Sequence, residues 1–190
     1  MIGVYDSIGL IELSSIARGY LVTDAMVKKA PVRVLESRAV TPGKYLVLVC
    51  GDVAEVDEAM KAGLAAAAAT LIDQLFLPQA HEQLVPLVSG QRPARVTPDA
   101  LSIIETGSVA STLLAADAAA KAAEIWLLEM KLAVGIGGKG YFSMTGELNQ
   151  IQAAVEAATA IAGPWLQGQE IIARPHEDLT AFLAQKGRIA

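Results

Sequence analysis

The chain has 190 residues, of which 53% are apolar and 18% charged, with a formal net charge of −5. This balance excludes intrinsic disorder, which pairs low hydrophobicity with high charge, and the acid excess argues against a nucleic-acid binder, which needs a basic face. Ordinary soluble domains carry about 25% charged residues, so apolar surface is in excess and subunit interfaces are expected to cover it.

The start, Met1 to Asp6, has no basic segment before an apolar core, so no secretory signal is expected. Ile8 to Leu13 is a short apolar run suited to a buried strand. Ser14-Ser15 can cap a helix reaching about Ala30, in which Asp24 and Lys28 stand four apart on one face. Val32 to Val40 and Lys44 to Cys50 read as two strands around the tight loop at Pro42-Gly43. Gly51-Asp52 opens a second helix with apolar positions at Val53, Val56, Met60, Gly63 and Ala67. The apolar stretch Ala62 to Ile72, with its Ala65 to Ala69 run, is far shorter than the roughly 20 residues a membrane-crossing helix needs. A fourth strand at Leu71 to Leu77 and a short helix from His81 follow. Pro86, Ser89-Gly90, Pro93 and Pro98 punctuate the stretch from Val85 to Ala100, and the boundary is placed near residue 92.

Beyond that boundary the pattern recurs. Ile11-Glu12, Ser15, Ala17, Leu21, Asp24-Ala25 and Lys28 match Ile104-Glu105, Ser108, Ala110, Leu114, Asp117-Ala118 and Lys121 at a constant offset of 93. Leu35-Glu36 and Leu128-Glu129 keep that offset. Gly43-Lys44 with Gly138-Lys139, Gly51 with Gly146, and His81-Glu82 with His176-Glu177 follow an offset of 95, which places a two-residue insertion in one loop of the second copy. Leu101 to Thr106 is then the first strand of copy two. Leu148, Ile151, Val155 and Ala158 mark its second helix, Glu170 to Ala173 its fourth strand, and His176 the start of its tail helix. The expectation is an α+β chain of two tandem ferredoxin-like β-α-β-β-α-β units, residues 1–92 and 93–190, each with a short C-terminal helix.

Chemistry-bearing motifs are few. Gly135-Ile136-Gly137-Gly138-Lys139-Gly140 spells G-x-G-x-x-G, but it runs into the strand-like Tyr141 to Met144 rather than opening a helix. No Ser or Thr follows Lys139, so it is no P-loop either. A flexible hairpin with exposed backbone N–H groups is the better reading. His81-Glu82 and His176-Glu177 lack a second histidine at metal-binding spacing, and their recurrence at helix starts points to capping. Cys50, the single cysteine, lies in an apolar strand, permits no intrachain disulfide and fits a reducing cytosol. Trp126 and Trp165 stand alone, which suggests core or interface packing.

Ile8 to Gly19, the Asp24-Ala25-Met26-Val27-Lys28 segment, Gly138-Lys139 and Ile172-Ala173-Arg174-Pro175-His176 together resemble a bacterial microcompartment shell protein. The chain is most similar to tandem-domain members of propanediol-type compartments, in which three two-domain chains make a pseudo-hexagonal tile. The resemblance implies a homotrimer that contacts other shell proteins, with Lys28, Lys121 and Arg174 as edge residues. In the first copy Gln79 stands where the second has Arg174, so docking there is expected to be less firm. The pore loops fall on Val40 to Gly43, with Thr41, Pro42 and Gly43 lining, and on Gly135, Ile136, Gly137 and Gly138. Some relatives carry a cysteine in the first loop and hold an iron–sulfur cluster on the three-fold axis. Thr41 stands there in this chain, so no cluster and no other cofactor is expected.

The leading expectation is therefore a structural, non-enzymatic tile of a cytoplasmic microcompartment shell. Its pore passes small metabolites, and it has no nucleic-acid or membrane partner. The alternatives are a trimeric ferredoxin-like sensor of small anions, and a small enzyme built on His81 or His176.

Overall fold

A computed structural model of the chain describes residues 6–91 and 99–184. Copy one runs β1 (Ser7–Leu13), α1 (Ile16–Lys29), β2 (Arg33–Val40), β3 (Lys44–Gly51), α2 (Val53–Ala67), β4 (Leu71–Pro78) and α3 (Leu84–Val88). Copy two runs β5 (Ala100–Thr106), α4 (Val109–Ala122), β6 (Trp126–Leu132), β7 (Gly140–Gly146), α5 (Leu148–Ala162), β8 (Leu166–Ala173) and α6 (Glu177–Ala184). The strands form two antiparallel four-stranded sheets of the same order, β2-β3-β1-β4 and β6-β7-β5-β8, which is the ferredoxin-like arrangement expected of each repeat. The boundary set at residue 92 lies outside the described residues. Among the described residues no helix is long and apolar enough to cross a membrane.

Local sequence accounts for these elements. The Ser15 hydroxyl accepts the Arg18 N–H at 3.2 Å and the Ser108 hydroxyl accepts the Ser111 N–H at 3.1 Å, so both first helices start on a serine cap. The strand β1 is buried at every position because it lies between β3 and β4 and is covered on both faces, which explains its unbroken apolar run. The repeat extends to backbone detail. A register shift between Val34 and Glu36 recurs between Leu127 and Glu129. The left-handed φ of Gln79 (53°) recurs at Arg174 (49°). The offset changes where β2 meets β3: Thr41 to Gly43 bridge those strands, whereas residues 133–139 bridge β6 and β7.

One reciprocal exchange marks how the copies diverged. Gly19 of α1 lies against the ring of Tyr45, which fills the space a side chain at Gly19 would need. In copy two the counterpart of Gly19 is Thr112 and that of Tyr45 is Gly140, and there Thr112 occupies the space beside the glycine. The bulk has moved from strand to helix.

The core explains how the copies join. Ile11, Leu13, Val47 and Val49 of the first sheet meet Val22, Met26, Val56 and Met60 of α1 and α2. The opposite face of that sheet, with Ile8, Leu10, Leu46, Leu48, Leu75 and Leu77, joins α3 and the whole of copy two in one larger core. The helix α4 is consequently buried at ten positions around its circumference, from Val109 to Ala120. Its counterpart α1 buries only Gly19, Val22 and Met26.

Several expectations change. The strand β8 begins at Leu166, upstream of Glu170, because Leu166 to Gln169 belong to an edge strand held to β5 by backbone pairing and need no apolar pattern. The helix after His81 begins only at Leu84, since the His81 N–H is drawn to Asp117 of copy two at 2.8 Å. Val53 faces solvent at the start of α2, and Leu148 is only half-buried. Trp126 and Trp165 are 53% and 54% exposed, so neither belongs to the core of the chain.

Candidate pore loops and edge residues

The two loops singled out in the sequence are the β2–β3 and β6–β7 hairpin connections, and the fold brings them together. The first turns at a cis Thr41–Pro42 bond and closes with the Gly43 N–H on the Val40 carbonyl at 2.9 Å. The second is longer and is closed by the Ala133 N–H on the Lys139 carbonyl at 2.9 Å. Gly135, Gly137 and Gly138 take φ values of 72°, 67° and 84°, which glycine adopts without steric cost. A Cβ at Gly138 would stand 3.1 Å from the Thr41 carbonyl oxygen, so the loops of the two copies touch within one chain. Thr41, Pro42, Gly43, Gly135 and Gly137 are exposed, and Ile136 and Gly138 partly so. The G-x-G-x-x-G run is thus a hairpin between strands, without the helix N-terminus that a pyrophosphate site requires.

Each loop has an ion pair behind it. Lys44 Nζ lies 3.0 Å from Glu12, whose side chain is nearly buried, and the counterpart pair Lys139 and Glu105 stands open at 3.7 Å. Breaking the buried pair would strand a carboxylate inside the fold, whereas the open pair contributes little.

The three edge candidates sit on separate elements. Lys28 is on α1, 2.7 Å from Asp24, and the pair is exposed. Lys121 is on α4, 2.6 Å from the nearly buried Asp117. Arg174 is exposed in the turn after β8, its N–H on the Asp99 carbonyl at 2.7 Å. Both lysines are therefore engaged on their own helices.

A seam between the copies joins Asp117 and His81, both visible in the sequence, with Gln83, which was not. The Asp117 carboxylate accepts the His81 N–H at 2.8 Å. Gln83 binds the start of the edge strand β6 twice: its Nε2 donates to the Ile125 carbonyl at 2.9 Å and its Oε1 accepts the Leu127 N–H at 2.8 Å. Leu84 and Leu87 of α3 are buried alongside. A cleft of about 520 Å³ opens on this seam, with His81, Glu82, Lys121, Glu124 and Gln150 in its wall. His176, just ahead of α6, has the capping geometry read from the sequence, its Nδ1 accepting the Asp178 N–H at 3.2 Å. Nδ1 of His81 instead accepts the Gln83 N–H at 3.4 Å in the turn before α3 and does not cap that helix. Gln83 could not be found from a motif, because its repeat counterpart is Asp178 and only the contact reveals it.

Cys50 is fully buried, paired with Ile8 and Arg33 across the sheet, and lies at the end of β3 away from the loop. Burial raises its thiol above the ordinary value, against the opposing pull of Arg33. The loops offer hydroxyl and carbonyl oxygens but no thiolate, so their residues do not fit an iron–sulfur cluster. Among the described residues no three His, Cys, Asp or Glu side chains stand together as metal ligands.

Comparison with known proteins places this geometry. The BMC domain family model matches residues 7–80 and again 100–175. The bacterial microcompartment shell protein PduT of Citrobacter freundii is 39% identical over 175 residues, covering 91% of this chain and 95% of that protein. A solved microcompartments protein from Desulfitobacterium hafniense DCB superposes with a TM-score of 0.88 at 42% identity, over 92% of this chain and 98% of that one. The fused permuted hexameric shell protein MSM0275 superposes with a TM-score of 0.58 at 21% identity, over 82% of this chain and 80% of that one, a likeness of fold alone.

Proposed function

The chain belongs to the BMC domain family, and on that premise we propose that it is a structural tile of a bacterial microcompartment shell, assembled as a homotrimer. The family is one of shell proteins rather than enzymes, which removes the sensor and the His81 or His176 enzyme from consideration.

One observation carries the trimer. The seam that joins copy one to copy two within the chain leaves its two repeat-related halves exposed at the chain's opposite ends. On α1, Tyr20 is 68% exposed where its counterpart Leu113 is fully buried; on α6, Phe182 is 58% exposed where Leu87 is 6%. Two different, complementary faces on one chain make a head-to-tail contact, which closes as a ring or grows as a filament. Three chains with two domains each close a ring of six quasi-equivalent domains. The Thr41 to Gly43 and Gly135 to Gly138 loops then alternate around its centre as a pore for small metabolites. Lys28, Lys121 and Arg174 lie on the rim as contacts to neighbouring tiles, and the domains divide near residue 92.

Mass in solution and electron microscopy at high protein concentration test this reading. Trimers that associate into flat sheets or facets are expected, and a stable monomer refutes it. Lys28→Ala with Lys121→Ala is expected to abolish sheets while trimers persist. Alanine is preferred to aspartate because a second carboxylate beside Asp117 would repel it within the seam.

A further inference from the structure

We propose that each junction between chains is held by a polar clasp in which Asp24 accepts the backbone N–H of His176 of the next copy, Asp178 of that copy accepts the Val34 N–H, and α6 is the cover. The proposal rests on the trimeric reading and gives its seam a residue-level content. Its basis is the intrachain seam, every member of which has a repeat counterpart on an exposed face. Asp117 corresponds to Asp24, His81 to His176, Gln83 to Asp178, Leu127 to Val34, Leu84 to Leu179 and Leu87 to Phe182.

The geometry of Asp24 is already set for the role. In the closed seam Asp117 divides its oxygens, Oδ2 to Lys121 at 2.6 Å and Oδ1 to the His81 N–H at 2.8 Å. Asp24 likewise gives Oδ2 to Lys28 at 2.7 Å, and its side chain is 57% exposed where that of Asp117 is 9%. The exchange of Gln83 for Asp178 makes the two seams chemically different. A glutamine amide both donates and accepts, so Gln83 ties down the Ile125 carbonyl and the Leu127 N–H together. A carboxylate only accepts, so Asp178 can serve the Val34 N–H but offers no donor to the Val32 carbonyl. At this position the clasp between chains is thus charged and short of one hydrogen bond, whereas within the chain the Gln83 amide is neutral and makes both. The apolar cover follows the same correspondence: Leu179 and Phe182 stand exposed on α6, as do Ile16, Tyr20, Leu21 and Val27 on α1. The occupant is therefore a second copy of this chain, because only such a copy presents the counterpart of each group.

The test is subunit exchange between isotopically heavy and light trimers, followed by native mass spectrometry, with melting temperature measured in parallel. Asp24→Ala is expected to speed exchange at least about tenfold, since a buried hydrogen bond to a charged acceptor is lost at each of the seams. Its counterpart Asp117→Ala is expected to lower the melting temperature and leave exchange within about twofold of the wild type, because that bond lies inside the chain. Asp178→Leu, at a side chain that is 90% exposed, is expected to accelerate exchange as well. Wild-type exchange rates in both Asp24→Ala and Asp178→Leu overturn the clasp while leaving the trimer intact. A wild-type chain that is monomeric overturns the trimeric reading itself.

Discussion

Exchanging Gly19 and Tyr45 for their copy-two counterparts tests whether the repeat has been read in the right register. Tyr45 is 1% exposed, and its hydroxyl stands 2.9 Å from Ser37 Oγ, which in turn meets Thr23 Oγ1 at 2.8 Å. Tyr45→Gly removes a buried ring and a hydrogen bond, for an expected loss of about 4–5 kcal/mol. Gly19→Thr drives a branched side chain into that ring. Overpacking costs about 1–3 kcal/mol, offset by a few tenths from the better helix propensity, so about 2 kcal/mol is expected. In the double variant the introduced threonine takes up part of the vacated space, as Thr112 does beside Gly140. Its hydroxyl can also reach the Ser15 carbonyl, as Thr112 Oγ1 reaches the Ser108 carbonyl at 2.9 Å. The double variant should therefore cost about 2 kcal/mol less than the sum of the singles, a coupling typical of residues in contact. Full rescue is not expected, because Leu13 stands where Thr106 makes a 2.7 Å hydroxyl contact to Thr112 in copy two. Urea unfolding at one fixed protein concentration measures all four corners of the cycle. Additivity within about 0.5 kcal/mol would refute the claim that these positions exchange volume.

Gly138→Ala and Gly43→Ala separate strain from contact in the loops. Both glycines have left-handed φ, but only Gly138 lies against the other loop, so its variant is expected to lose about 1 kcal/mol more, read as a lower melting temperature. Glu36 tests a pH dependence. Burial raises its carboxyl above the usual value although Arg38 lies 3.0 Å away and pulls it down. The folded chain therefore holds this proton more tightly than the unfolded chain. The contribution of Glu36 to stability is full below the unfolded value of 4.5 and is lost as pH rises through the folded value. Glu36→Gln is expected to flatten that part of the pH–stability curve in denaturant titrations between acid and neutral pH, and an unchanged curve would contradict the assignment.

Two properties of the sequence made the fold legible. The apolar runs of β1 and β3 have no polar alternation because both strands are central, and the serine caps and Asp–Lys pairs of α1 and α4 are local, so sequence spacing alone locates them. The loops were legible because glycines at positive φ and a proline have few other uses. The seam was not legible. Gln83 acts across copies through one amide, His81 delays α3 because its N–H is claimed by Asp117, and β8 is built from polar residues because an edge strand needs only its backbone. None of these leaves a periodic trace.

Fusion of the copies changes what assembly must accomplish. In a ring of six separate domains every seam is intermolecular and loses translational and rotational freedom on forming. Fusion makes alternate seams intramolecular, where the partner is always at high effective concentration. That seam is then free to carry a neutral amide bonded at both ends, as with Gln83, and its helix to be buried around its circumference, as α4 is. In the proposed trimer the seam that remains between chains would still have to survive exposure before assembly. Its residues accordingly keep charge and aromatic hydroxyl: Asp178 for Gln83, Tyr20 for Leu113, and an exposed Asp24–Lys28 pair for one whose carboxylate is nearly buried. In the proposed trimer, fusion also frees the two central loops from identity, so that a proline turn and a glycine hairpin would alternate around a pore of three-fold rather than six-fold symmetry. The scarcity of charge at 18% agrees with the same division, because the apolar side of one seam, with Leu84, Leu87 and Leu113, is covered once the chain has folded.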